Sequence, residues 1–353
     1  MSKIDKVTFY PFRIPIRGSL VWGEKSQLEE LHHLLVEVTL SDGQVGRAEI
    51  PPRPTIYGET IATISAVITE TAPRLTGLEA TDTGAVLAQI YREPYQFTAR
   101  AGLEWAIFEA LNPDLLSVWS AQDSALVSTI LGIGTLEQVL AEAHLAWQSG
   151  IQTFKVKVGR NFSADLETVR ALRQAFPGAR LYADANQTFT PESAPTQLEQ
   201  LAQAGILYLE EPLPVQQVKA RARLRASGIL PLIADDSVFT LADLERELEL
   251  DTFDILNLKP ARTGPAAAQK MLALAHQAGK GVMIGSQACS SFGAYRAAVL
   301  ALAEPVTHPC EIGFHLRAER RFFEFPSFRE GRIWLQDLTS ARFLPDSFAA
   351  LVD

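Results

Sequence analysis

From about residue 124 onward the chain repeats one unit, a short apolar stretch followed by an amphipathic stretch of helical spacing. ALVSTILGIG precedes TLEQVLAEAHLAWQSG, IQTFKVKVG precedes SADLETVRALRQAFPG, and ARLYADAN precedes PESAPTQLEQLAQAG. ILYLEEPL, LPLIADDS, FDILNLKP and KGVMIGSQ each precede a further segment of the same kind, giving seven β-then-α units spaced by close to 25 residues. The strands read as continuous apolar runs rather than as alternating patterns. Runs of that kind are buried on both faces, the condition of a parallel sheet covered by helices. Gly150, Gly205 and Gly279 stand where helices end just before the next strand. The repeat predicts a TIM-type barrel. A doubly wound open sheet is the alternative, but no glycine-rich dinucleotide fingerprint follows any of these strands.

Parallel barrels carry their chemistry at the C-terminal ends of the strands. The polar residues there are Lys155 and Lys157, then Asp184, then Glu210 and Glu211, then Asp235 and Asp236, then Lys259, recurring at intervals of 24 to 27 residues. Alternation puts Lys155 and Lys157 on one face of their strand, with Val156 and Val158 on the other. A charge at one strand end is usually a solvated cap or a surface ion pair. Five successive strands in register make a different case, because carboxylates brought together are costly unless a cation neutralises them. Carboxylates without His or Cys favour a hard cation, and Mg2+ is the usual one. A lysine beside other cations and partly desolvated can serve as a base. In each acidic doublet only one residue is expected to be a ligand, since neighbours on a strand point to opposite sides. The layout reads as a metal that stabilises a developing oxyanion, with lysines that move a proton.

The first 120 residues have another texture. KVTFYPFRIPI and HHLLVEVTL read as strands, and SDG before QVGRAEI is a hairpin signal. ETIATISAVITETAPRL, TDTGAVLAQIYREP and ARAGLEWAIFEAL then follow as helices. Strands succeeded by helices indicate an α+β domain.

The order KVKVG, YADANQTF, YLEEPLP, IADDSV, NLKPARTGP resembles the enolase superfamily, in its mandelate racemase/muconate lactonizing enzyme subgroup, and the segment DGQVGRAEIPP…YGET looks like that family's capping domain. The resemblance covers most of the chain. It implies an α/β fold, a modified TIM barrel of (β/α)7β type spanning 121–320, an N-terminal α+β capping domain over 1–120, and a C-terminal segment, 321–353, that packs back on the cap. It also implies site roles. Asp184, Glu210 and Asp235 match the metal ligands, and Lys157 matches a general base. Lys155 matches its electrostatic neighbour, and Lys259 matches the acid/base or cationic lysine on the opposite face. Asn186 and Asp236 match polar groups beside the metal.

The shared chemistry of that family is abstraction of a proton next to a carboxylate, with Mg2+ stabilising the ene-diolate. Two opposed lysines permit racemisation or epimerisation, and an epimerase or racemase of a dipeptide or N-acyl amino acid is the expected activity. An o-succinylbenzoate synthase or muconate cycloisomerase is the alternative within the family. A Schiff-base aldolase using Lys157 or Lys259, or a catalytically silent ligand-binding homologue, lies outside it. The chain departs from the family where Cys289 replaces a common glutamate in GSQACSSFG. It departs again in HPCEIGFH, where Glu311 stands in place of the Asp-x-Asp pair of dipeptide epimerases. Trp22, Tyr57, Ser286, Gln287 and Glu311 are the candidate substrate contacts.

A net charge of -9 argues against a nucleic-acid partner, which needs a basic stripe. Two cysteines, Cys289 and Cys310, make neither a disulfide scaffold nor a zinc pattern. No signal-like start and no long apolar run occurs, so the expectation is a cytoplasmic enzyme without a membrane partner, acting on a small-molecule carboxylate. The family is often multimeric, and a homo-oligomer is the corresponding expectation.

Overall fold

The computed structural model describes residues 2–22 and 26–352. Three antiparallel strands open the chain: β1 (Ile4–Trp22), β2 (Ser26–Leu40) and β3 (Val45–Ile50), in the order β1-β2-β3. The hairpin between β2 and β3 turns at SDG, where Gly43 has a φ of 89° and its N–H donates to Leu40 O. Both faces of this sheet are buried. Leu34, Val36, Val38 and Leu40 belong to the main core, with the helices, whereas Leu31 and Leu35 join Phe12 and Ile14 against the C-terminal tail. Five helices follow: Pro54–Tyr57, Ile61–Leu75, Thr83–Ile90, Phe97–Leu111 and Leu115–Trp119. The fourth, Phe97–Leu111, lies directly on β3, because a Cβ at Gly46 would stand 2.0 Å from Ala106 O; only glycine allows that approach.

Eight parallel strands then make the barrel. They are β4 (Ser124–Leu131), β5 (Thr153–Lys157), β6 (Arg180–Asp184), β7 (Leu209–Glu210), β8 (Leu232–Ala234), β9 (Ile255–Leu258), β10 (Gly281–Ile284) and β11 (Cys310–Glu311). Their order is β10-β9-β8-β7-β6-β5-β4-β11, and a helix follows each strand from β4 to β10. The ring closes where the Thr307 and His308 N–H groups donate to Val282 O and the Ile284 N–H donates to Cys310 Sγ at 3.3 Å. The fold is therefore α/β, a modified barrel with seven crossover helices and a final strand.

Alternation along each strand sorts the side chains. On β5, Phe154 faces out and packs on Trp147 and Phe176 of the helical layer, while Lys155 and Lys157 turn to the barrel interior. Tyr182, Tyr208, Ile233, Ile255 and Met283 form a separate buried cluster that fills the interior below them.

The tail makes three further strands: β12 (Phe323–Glu324), β13 (Arg332–Trp334) and β14 (Arg342–Phe343). β13 runs antiparallel to β4, so the tail extends the barrel's first strand. Its aromatic rings reach the N-terminal sheet, with Phe322 and Phe348 at 5.2 and 5.7 Å from Phe12. The N-terminal sheet and helices also grip the barrel mouth directly. Glu49 of β3 accepts from Ser290 N, Ser290 Oγ and Gly293 N, and Glu104 accepts from Ala266 N. Both carboxylates thus sit at the first turns of barrel helices, where unpaired N–H groups favour an anion. No helix among the described residues is long and apolar enough to cross a membrane.

Candidate active site

The strand register sets the charges level. Lys157 is the Cα partner of Asp184, and Asp184 is the partner of Glu210. Lys155 stands deepest, at 1 % exposure. Its ammonium lies 2.6 Å from Glu210 Oε1, 2.6 Å from Glu311 Oε1 and 3.1 Å from Asp184 Oδ2. Burial alone would lower its pKa, but Asp184, Glu210 and Glu311 outweigh that and hold it well above the ordinary lysine value. Glu311 is further tied by the Ser286 N–H at 2.8 Å and the Tyr182 hydroxyl at 3.3 Å.

Lys157 donates to Asp184 Oδ2 at 2.6 Å and to Asn186 Oδ1 at 3.1 Å. Asn186 returns a backbone N–H to Asp184 Oδ1 at 2.8 Å. It can do so because Asn186 and Gln187 take φ of 45° and 66°, consecutive left-handed residues that turn the chain back over the strand end. Lys259, one residue past β9, donates to Asp235 Oδ2 at 2.6 Å, and Arg262 donates to Asp235 Oδ1 at 2.9 Å. Despite burial, the lysines hold Asp184 below the usual carboxylate range, and Lys259 and Arg262 do the same for Asp235. Lys259 is correspondingly held above its ordinary value, burial being outweighed by Asp235.

The two acidic doublets behave differently. Glu210 turns inward to Lys155 and Asn257, while Glu211 turns outward to Arg221 and Ser237 in the helical layer. Past β8 the strand has ended, alternation no longer applies, and both Asp235 and Asp236 border the same cavity. Asp236 accepts from Gln187 Nε2 at 3.1 Å.

That cavity is about 430 Å³ in volume and opens at the barrel mouth. Lys155, Lys157 and Lys259 line its floor with Asp184, Asp235, Asp236 and Glu311, and Ser286, Gln287 and Ala288 form one side. The N-terminal domain closes it with Leu20, Arg53, Thr55 and Ile56. Tyr57 stands behind this wall. Its ring packs on Phe97 and Phe239, and its hydroxyl accepts from Arg262 at 3.1 Å and from Gln287 Nε2. The Trp22 side chain lies outside the described residues. His308 is remote, against Tyr208 below the barrel interior, and His315 is buried between Phe325 and Phe328. Cys289 is buried, and burial, with Glu49 adding to it, pushes its thiol up.

Sequence reading passed over several groups that complete the site. Arg262 follows Lys259 by three residues, and that spacing in NLKPARTG was a usable signal. Asn257, two residues before Lys259 on β9, was the inward neighbour that alternation offered. Arg53 and Gln187 lie in loops, where no periodicity points.

Asp184, Glu210 and Asp235 are the residues that could hold a cation. Among the described residues no group of three His, Cys, Asp or Glu side chains is arranged to hold a metal as it stands, because lysine ammonium groups occupy the carboxylate oxygens. The donor chemistry nevertheless fits a hard cation. All three are carboxylates, all at most 5 % exposed, on consecutive strands, with no His or Cys among them. Burial, reinforced by Asp184, Asp235 and Glu311 against Lys155, pushes Glu210 well above the carboxylate range.

Residues 138–339 match the family described as enolase C-terminal domain-like. The L-amino acid-D/L-Glu epimerase of Francisella philomiragia is 25 % identical over 96 % of this chain and 98 % of its own length. The aromatic dipeptide epimerase of Herpetosiphon aurantiacus is 32 % identical over 72 % of this chain and 74 % of its own. The crystal structure of muconate lactonizing enzyme from Mycobacterium smegmatis, complexed with muconolactone, superposes with a TM-score of 0.92 at 30 % identity, covering 99 % of this chain and 100 % of that one. The repeat, the closed barrel and the ring of charges at its mouth thus come together with these likenesses, and the chain belongs to the enolase C-terminal domain-like family as an enzyme of the enolase superfamily, mandelate racemase/muconate lactonizing subgroup.

Proposed function

We propose that this enzyme moves the α-proton of a carboxylate substrate between the two faces of its α-carbon, as an epimerase or racemase of a dipeptide or N-acyl amino acid. The observation that carries this reading is the placement of Lys157 and Lys259. They stand at the ends of β5 and β9, four steps apart in an eight-stranded ring, which is half a circuit, and both border the cavity. For an α-carbon held between them, one lysine as the free amine takes the proton from one face. The other, as ammonium, delivers a proton to the opposite face, so protons removed and returned balance. Once it leaves Asp235, Lys259 loses the anion that holds its charge, which favours its amine form. Lys155 stays charged and offers fixed positive potential to the substrate carboxylate.

Asp184, Glu210 and Asp235 would hold Mg2+, which when bound neutralises the charge developing on that carboxylate. Asn186 and Asp236 orient the groups around it. The printed names of the Francisella and Herpetosiphon relatives, both epimerases, support this reading.

A second reading, cycloisomerisation, is favoured by the likeness to the muconate lactonizing enzyme over nearly the whole chain. Proton exchange separates the two. In D2O with Mg2+, the α-position of the right dipeptide or N-acyl amino acid takes up deuterium and both hands appear, as read by NMR and chiral chromatography. No exchange across a broad library, with ultraviolet-detected turnover of muconate, overturns the first reading in favour of the second.

A further inference from the structure

The two opposed lysines are held by different means. Lys157 lies within β5, where the ladder pairs it with Asp184 of β6. Lys259 stands one residue past β9, on a turn that the N-terminal domain grips. Within that turn, Lys259 O accepts from Arg262 N at 3.1 Å and from Thr263 N at 3.0 Å. Two further carbonyls of the turn, Pro260 O and Thr263 O, both accept from Trp105 Nε1, at 3.0 and 2.9 Å. Trp105 belongs to the helix Phe97–Leu111 and is 2 % exposed. Its neighbour Glu104 accepts from Ala266 N at 2.8 Å and from the Tyr91 hydroxyl at 2.7 Å. Gly264, between these two grips, comes so close that a Cβ there would stand 1.9 Å from Glu104 Oε2. An indole N–H can only donate, and buried carbonyls need a donor, so Trp105 ties down the segment that carries Lys259.

We propose that Trp105 is a positioning residue for Lys259: by binding both carbonyls of the turn it fixes where that ammonium meets the α-carbon. The proposal rests on the two-lysine reading of the reaction, and it gives the N-terminal domain a part in one of the two proton transfers. A misplacement of about 1 Å at a reacting group costs on the order of 100-fold in rate. A strand ladder protects Lys157 from such a shift, whereas Lys259 lies beyond the end of its strand and depends on the turn. Loss of the indole N–H should therefore slow the transfer made by Lys259 and spare the one made by Lys157. The ring of Trp105 also packs against Phe108, Trp119 and the Arg296 guanidinium, so a test must separate its N–H from its bulk.

Trp105→Phe keeps much of the bulk and removes the donor. Trp105→His keeps an N–H at the corresponding ring position and removes the bulk. In the first readout, α-proton exchange is measured with each hand of the substrate on the Mg2+-loaded enzyme, beside Lys259→Ala, which identifies the hand that Lys259 serves. Trp105→Phe is expected to slow exchange with that hand by about 10-fold or more, and with the other by less than about 2-fold. Trp105→His should recover part of the loss. The ratio between hands is unaffected by a general loss of folded enzyme. A loss shared equally by both hands, no loss in Trp105→Phe, or a larger loss in Trp105→His than in Trp105→Phe makes Trp105 a packing residue only and overturns the proposal. The second readout needs no turnover: acetylation of Lys259 relative to Lys157, read by mass spectrometry. A loosened turn weakens the pairing of Lys259 with Asp235, so Trp105→Phe should raise that ratio by about 3-fold or more, and an unchanged ratio overturns the proposal. If Lys259→Ala slows both hands alike, the two-lysine reading falls, and the acetylation ratio alone decides whether Trp105 positions Lys259.

Discussion

Glu210 and Glu211 are neighbours in sequence, both buried, and they end in opposite worlds. Glu210 turns into the barrel interior beneath the cavity, to Lys155 and Asn257. Glu211 faces the helical layer, where Arg221 bridges it to Glu247 and Ser237 donates to it at 2.8 Å. Arg246 and Thr252 complete the coverage of Glu247. The inner group is an array of charges beside open space. The outer one is closed on all sides by protein. A buried ion network beside a cavity can exchange its partners for a ligand's groups, whereas one without space can only hold the fold together.

The largest expected effect lies on the inner face. Lys157→Ala and Lys259→Ala should each lower turnover by about 10²- to 10⁴-fold. Each should also abolish exchange with one hand of the substrate while sparing some exchange with the other. Equal loss with both hands would remove the two-base assignment.

Next comes the choice between the doublet's halves. Glu210→Gln should weaken Mg2+ binding in calorimetry by at least 10-fold together with activity. Glu211→Gln should leave metal affinity within about 2-fold, since Glu211 turns away from the barrel interior, to Arg221 and Ser237. Arg221→Met probes the outer network. It removes the donor shared by Glu211 and Glu247, leaving Arg246 with Glu247, and should cost about 1–3 kcal/mol in urea unfolding with metal affinity retained. A loss below about 1 kcal/mol would mean that the outer network is not a structural clamp.

The smallest effect is one of pH. Burial pushes the Glu211 carboxyl up to about 8, with Arg221 opposing and Asp236 adding. Unfolded, the group titrates at roughly 4.3. Between those values the folded state keeps a proton that the unfolded chain has released, so this contribution is full below the unfolded value and is lost as pH rises through about 8. Glu211→Gln should therefore flatten the fall in stability across that window, measured as the urea midpoint at a series of pH values. An unchanged slope would place the titration elsewhere.

Much of this was legible in the chain itself. Seven apolar runs, each followed by an amphipathic one, dictate a covered parallel sheet, because strands buried on both faces leave no polar alternation. The interval of 24 to 27 residues between charges fixes a common level, and alternation on β5 already puts Lys155 and Lys157 on one side. The hairpin at SDG was equally open, since Gly43 supplies the left-handed turn. Where strands stop, the rule stops with them. Glu210 and Glu211 still alternate, because the Glu211 N–H continues the ladder to Ile233 O. Asp235 and Asp236 lie beyond Ala234 and share one cavity.

The sequence by itself therefore determined the barrel, its N-terminal α+β partner and the ring of lysines and carboxylates, all consequences of local periodicity repeated along the chain. Tertiary structure alone decided which groups meet across it. Tyr57 joins Arg262 across 205 residues, Glu49 meets Ser290 across 241, and Glu311 meets Lys155 across 156. Trp105 belongs with these, because the carbonyls it binds, of Pro260 and Thr263, lie 155 and 158 residues away and only the closed fold brings them to its ring. Periodicity is a property of a segment, while the pairing of buried charge is a property of the closed space around it.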